Sequence, residues 1–214
     1  MKRIFMLLVA AVAILSAGCE VDDAALKNHK TYTLYEEPSA LVISNGVDVV
    51  VDDNLPNNQV YALTNANNFN KLSVEVIDGT LHIGGLNSWF GYKRCLVYVP
   101  SLAYKSVAAG GGSEFLWNSC NIHNLSVMAS AGSECQIKGV AQQLRVEVSG
   151  GSDIECGWLD AEDVTINASG GSEVSVCASK TISLTASGGS DIHIKGNPEI
   201  LRWDVSGGSD VEFN

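Results

Sequence analysis

A five-residue block, Ser-Gly-Gly-Ser followed by Asp or Glu, returns six times in the second half of this chain with little variation. Its second serine falls at Ser113, Ser133, Ser152, Ser172, Ser190 and Ser209, in steps of 20, 19, 20, 18 and 19 residues. A period of that size is the mark of stacked repeats, in which each unit buries its apolar side only against its neighbours. Such a chain builds a long regular surface, and little of it is left over to wall a catalytic cleft.

Alignment on the repeated serine sorts the apolar residues into columns at alternate positions. Six places before it stand Val107, Val127, Val146, Ile166, Leu184 and Trp203, and four before stand Ala109, Ala129, Val148, Ala168, Ala186 and Val205. Two after come Phe115, Cys135, Ile154, Val174, Ile192 and Val211; four after, Trp117, Ile137, Cys156, Val176, Ile194 and Phe213. A further column eight before the serine runs from Leu125 to Leu201. Period-two alternation on both sides of a glycine pair predicts strand, turn, strand, with one face of each strand inward. Stacked at about 4.8 Å, equivalent strands turn each column into an apolar ladder. The glycines Gly150, Gly151, Gly170, Gly171, Gly188, Gly189, Gly207 and Gly208 fall where the chain must turn between two sheets, and are expected to take positive φ there.

The expected fold is therefore all-β: a parallel β-helix-like stack of about six rungs of 18–20 residues, with an N-terminal, partly antiparallel, strand-rich cap. The repeats occupy 102–214 and the strand-rich part 31–101, together one domain over 31–214. Asp78-Gly79 between alternating segments predicts a tight hairpin there. Terminal repeats must cap an open edge, a role the sequence suggests for Phe115 and Trp117 at one end and Trp203 and Phe213 at the other.

Residues 1–18 read as a secretory leader: Lys2 and Arg3, then an apolar run from Ile4 to Leu15, too short for a permanent membrane span. Leu15-Ser16-Ala17-Gly18-Cys19 resembles a bacterial lipobox, so Cys19 is expected to carry a lipid that anchors the chain in the membrane. Residues 19–30 are polar and acidic and suit a flexible tether. Cys19-Glu20-Val21-Asp22-Asp23 resembles the acidic tract that directs lipoproteins of Bacteroidetes-type bacteria to the cell surface. The expected location is an outer-membrane lipoprotein at the cell surface, with the periplasmic face as the alternative. The net charge of −11 becomes more negative when the leader takes two cations with it, which excludes nucleic acid as a partner.

The remaining cysteines, Cys95, Cys120, Cys135, Cys156 and Cys177, are odd in number and irregular in spacing, which is not a disulfide framework, although one bridge stays open as an alternative. Glu114, Glu134, Asp153, Glu173, Asp191 and Asp210 each follow the repeated serine and should form an outward row. A calcium ladder is one reading of that row; the preferred one has each carboxylate accepting hydrogen bonds from turn amides, with no cofactor. None of the repeated serines has a nucleophile-elbow context, and His29, His82, His123 and His193 lie in unrelated settings, so no catalytic residues are expected. Trp89, Phe90 and Tyr92 crowd one loop-like stretch and are candidates for stacking on a ligand, as is Trp158 at a rung corner; folding back as a cover is the alternative for each.

Ile43-Ser44-Asn45-Gly46-Val47-Asp48-Val49, Val76-Ile77-Asp78-Gly79-Thr80-Leu81-His82-Ile83, Val97-Tyr98-Val99-Pro100-Ser101-Leu102 and the repeats from Ala109 to Asp210 together resemble the bacterial family of putative auto-transporter adhesins, head GIN domain. Gly46-Val47-Asp48 stands where a Gly-Ile-Asn-like segment is expected. The resemblance implies a β-helix-like fold, an extracytoplasmic location and an adhesin-like role, and it brings no catalytic residues. The chain carries no translocator barrel, so the lipid is the expected route to the surface. The reading is a lipid-anchored, non-catalytic module that offers its sheet surface to glycan or protein ligands. The alternatives are a carbohydrate-active β-helix enzyme and a structural envelope protein that self-associates through its rung edges.

Overall fold

A computed structural model describes residues 28–64, 69–85 and 95–214. The leader, Cys19, most of the tether and the Trp89, Phe90 and Tyr92 stretch lie outside the described residues. What is described is all strand and turn. The elements are β1 (Asn28–Thr33), β2 (Ala40–Ile43), β3 (Asp48–Asp52), β4 (Gln59–Thr64), β5 (Ser73–Ile77), β6 (Thr80–Gly84), β7 (Leu96–Pro100) and β8 (Ser106–Gly110). They continue as β9 (Glu114–Ser130), β10 (Glu134–Val148), β11 (Asp153–Ala168), β12 (Glu173–Ala186), β13 (Asp191–Lys195), β14 (Glu199–Val205) and β15 (Asp210–Phe213).

From β8 onward the chain winds as a parallel solenoid of about five turns. The long strands β9 to β12 each cross both of its sides, so their first halves lie in one sheet and their second halves in the other. One side runs β3, β9, β10, β11, β12, β13, β15; the other runs β2, β8, β9, β10, β11, β12, β14. Register holds the expected columns together: Leu144 lies opposite Leu125 and Val164, and Ile154 opposite Cys135 and Val174. Every one of those six side chains is at most 2% exposed, and burying an aliphatic side chain this fully contributes about 1.5–3 kcal/mol.

The N-terminal part is more parallel than its hairpin suggests. β2 and β3 form a rung that lies directly beneath β8 and β9, and β6 and β7 form another beneath that, both parallel. The antiparallel strands are the outermost ones: β5 on β6, β4 on β7 and β1 on β4. Phe115 and Trp117 are consequently interior, each 2% exposed, and do not cap an edge. β1 begins at Asn28, so Asn28, His29 and Lys30 are strand residues, although their polarity reads as the end of a tether. The Asp78-Gly79 hairpin is present, with φ of 50° and 72° at its two turn residues.

Candidate functional site

At each repeat corner the chain must reverse direction in three or four residues, which leaves amides that no ladder strand can meet. The repeated serine answers this need. Ser152 Oγ accepts from the amides of Gly132 and Ser133 at 3.0 and 3.2 Å, and Ser209 Oγ accepts from Ser190 N at 3.1 Å. Ser133 Oγ donates to Ala109 O at 2.9 Å, and Ser172 and Ser190 donate to the carbonyls of Ser169 and Ser187. The five serines from Ser113 to Ser190 are buried to 2% exposure or less, so they are structural and face away from any ligand. The sequence assigned these amides to the carboxylates; the hydroxyls take them because they sit inside the corner, and the carboxylates point out. In the last rung Asp210 accepts from a nearby amide, that of Val211, at 2.9 Å.

Both glycines of each corner have positive φ, but they serve different needs. A side chain on Gly188 would come within 2.9 Å of Gly170 N, and one on Gly207 within 2.7 Å of Gly188 N, whereas Gly189 and Gly208 face open space. In these last two pairs the first glycine is favoured by stacking as well as by handedness, and the second by handedness alone.

The expected carboxylate row exists. Glu114, Glu134, Asp153, Glu173, Asp191 and Asp210 lie opposite one another in unbroken register. The row also has a seventh member that the repeat alignment missed: Asp48 lies opposite Glu114. Its signal was present as Ser44-Asn45-Gly46-Val47-Asp48, a corner with Asn for Gly and Val for Ser. Asn45 and Gly46 adopt φ of 62° and 71°, and the amides of Gly46 and Val47 reach Ser113 Oγ at 3.2 and 3.3 Å. The like charges leave a trace at Glu134, where partial burial, and then the neighbouring carboxylates of Glu114, Glu155 and Asp153, raise the pKa above the ordinary glutamate value.

Two residues further along each strand, Gln136, Glu155, Ser175, His193 and Glu212 form a second outward column on this side. Gln136 donates to Glu155 at 2.6 Å, and His193 stands between Glu173 and Glu212 at 3.8 and 3.4 Å. Glu173, Asp191, His193, Asp210 and Glu212 rim a depression of about 200 Å³, below the roughly 300 Å³ at which small-molecule pockets begin. Among the described residues, no set of three or more His, Cys, Asp or Glu is gathered as metal ligands. The opposite side mixes hydroxyls, amides and charges of both signs. Ser126, Arg145, Thr165, Ser183 and Arg202 make one outward column there, and Met128, Glu147, Asn167, Thr185 and Asp204 the next. Its charges largely pair within the side, Arg145 with Glu147 and Lys180 with Glu162.

Trp158 is the most exposed of the described tryptophans, at 72%, for a reason visible in the ladder. Cys156 pairs with Val176 and Asp160 with Cys177, so Gly157, Trp158 and Leu159 are extra residues in a bulge, and Leu159 turns inward while Trp158 is pushed out. Lys195 Nζ lies 4.1 Å from the ring centroid and donates to Gly157 O at 3.3 Å, which covers part of the indole. The histidines stay apart: His29 stacks on Tyr61, and His82, His123 and His193 lie on separate strands. All five described cysteines are free thiols, and burial pushes Cys95, Cys120 and Cys135 up to about 12, so none is a thiolate poised for chemistry. No helix of the described residues is long and apolar enough to cross a membrane.

The family model described as putative auto-transporter adhesin, head GIN domain matches residues 37–198. Among solved structures, the chain is similar to a putative adhesin from Bacteroides fragilis, with 17% identity and a TM-score of 0.68 over 87% of this chain and 95% of that one. It is also similar to a putative lipid binding protein from Parabacteroides distasonis, with 17% identity and a TM-score of 0.54 over 89% of this chain and 98% of that one. No curated protein matches the chain.

Proposed function

Membership of the putative auto-transporter adhesin, head GIN domain family, to which this chain belongs, is the premise from which we propose that it is a non-catalytic binding module of the cell envelope, presenting its sheet surfaces to glycan or protein ligands. The family is adhesin-like, which makes a cell-surface or envelope location the coarse expectation. The observation that carries the reading is the unbroken register of the outward columns. Residues from seven successive rungs, Asp48 to Asp210, are held at strand spacing on one side, which suits a repetitive, extended ligand better than a single small molecule. Lipid as the ligand is disfavoured, because the outward columns of the described rungs are acidic on one side and polar with mixed charge on the other.

The finer points belong to the same proposal. Cys19 carries the lipid, the protein sits in the outer membrane facing outward, and Trp158 joins Trp89, Phe90 and Tyr92 as an aromatic available for stacking on sugar rings. Catalysis is not expected: Arg145 on the opposite side is paired with Glu147, the carboxylate row holds acids alone, and His193 lies among carboxylates on an open surface.

A panel of polysaccharides and surface proteins, assayed for both binding and turnover, tests the function. Saturable binding without product supports it, and depolymerisation abolished by Glu155→Gln or Glu173→Gln overturns it in favour of an enzyme. Incorporation of labelled palmitate into the wild-type chain but not into Cys19→Ala supports the anchor; equal labelling, or none, removes it.

A further inference from the structure

The last described rung is made of core-column residues that no other described rung covers. Trp203 continues the column of Leu184, Val205 that of Ala186, Val211 that of Ile192 and Phe213 that of Ile194. The four interior residues are at most 1% exposed, whereas Trp203 and Phe213 are each 46% exposed and stack on one another at 5.9 Å. Ile200 and Leu201 beside them are 49% and 61% exposed; Ile200 lies opposite Ile182, and Leu201 occupies a bulge instead of the column its spacing suggests. β14 and β15 have ladder partners on one side only, β12 and β13, so a row of strand amides and carbonyls is left free at this end.

We propose that a second copy of this chain covers this end, tail to tail about a two-fold axis, with β14 of each copy pairing antiparallel and the pairing centred on Trp203. The charge pattern singles out a second copy. Arg202 and Asp204 flank Trp203 on its outward side and lie 3.5 Å apart, 64% and 59% exposed. Antiparallel pairing about Trp203 sets each Arg202 opposite Asp204 of the second copy, so the edge is its own complement, although two molecules of net charge −11 otherwise repel. The other sheet accepts the same axis. Phe213 touches Trp203, and pairing β15 about Phe213 places Glu212 opposite Asn214 of the second copy and not opposite another acid. The four aromatic rings then close over a common core, with the partly buried Val205 beside them. An interface of this kind uses the same patch twice and stops at two copies. At the opposite end the outer strands β1 and β5 carry polar and charged residues such as His29, Lys30 and Glu75, which suits an edge that stays in solvent.

Sedimentation of the full-length chain in density-matched detergent, across tens of micromolar and below, tests this. A monomer–dimer equilibrium is expected. Arg202→Asp, which sets acid against acid at both ends of the paired strand, should weaken it on the order of tenfold or more. The exchange Arg202→Asp with Asp204→Arg should restore it. A monomer throughout, assembly beyond two copies, a dimer indifferent to Arg202→Asp, or an exchange that fails to rescue would each overturn the proposal, and so would an end filled only by a different protein. None of these outcomes bears on ligand binding, so the adhesin-like reading stands or falls separately.

Discussion

The two ends of the coil are built from the same columns and finished in different ways. At the N-terminal end, two parallel rungs and three antiparallel strands lie beyond the first Ser-Gly-Gly-Ser corner, and Phe115 and Trp117 are sealed at 2% exposure. At the C-terminal end β14 and β15 have ladder partners on one side only among the described residues, and Trp203 and Phe213 are 46% exposed. Position in a column therefore does not decide burial; the presence of a next rung does. A solenoid passes stability from neighbour to neighbour, so the cost of a change depends on how many rungs press on it.

The sharpest way to break that comparison is to truncate one column at both places. Leu184→Ala, with rungs on both sides, should lower the unfolding free energy by about 2–5 kcal/mol, while Trp203→Ala should lower it by about 1 kcal/mol or less in dilute protein. Chemical denaturation measures both, and equal losses would mean that the last rung is as well packed as the interior. The corners offer a second contrast. Gly188→Ala adds a clash with Gly170 N at 2.9 Å to the backbone strain, and should cost about 2–3 kcal/mol, against about 1–2 for Gly208→Ala, which has open space and strain alone.

A third and smaller effect runs the other way. Ala131 holds φ at 55° where the five other Ser-Gly-Gly-Ser corners have glycine, so Ala131→Gly should raise stability by about 1 kcal/mol or less, seen as a higher denaturation midpoint. The smallest effect concerns the carboxylate row. Because burial and the neighbouring carboxylates hold the folded pKa of Glu134 above the ordinary glutamate value, the folded state holds this proton more tightly than the unfolded chain. Its ionisation thus subtracts stability as pH rises from the ordinary glutamate range through the raised value, and protonation returns it below. Glu134→Gln should flatten that slope in thermal melts taken across the window, and an unchanged slope would show that the row does not repel.

Much of this was legible in the text of the chain, because a ladder repeats its instructions. The inward columns, the corners and the outward carboxylates from Glu114 to Asp210 follow from period-two alternation around a fixed block, and they reappear in register. The rung at Asn45-Gly46 was harder to see, since its corner substitutes Asn and Val and the chain leaves it to build β4, β5, β6 and β7 before returning as β8. Contiguous spacing carries no record of a rung inserted out of order. Trp158 was visible as a corner residue, yet its exposure comes from three extra residues in β11 relative to β12, a mismatch that only the pairing reveals.

By itself, the sequence determined that the repeats would stack, which side chains would turn inward and where the chain would bend, because these depend on local alternation and on glycine's freedom at a turn. Only the tertiary structure decided which residues are truly interior, which hydroxyl meets which amide, and which end of the coil remains open. Those outcomes depend on the rung next door, and contact between rungs is set by how distant segments are ordered in space.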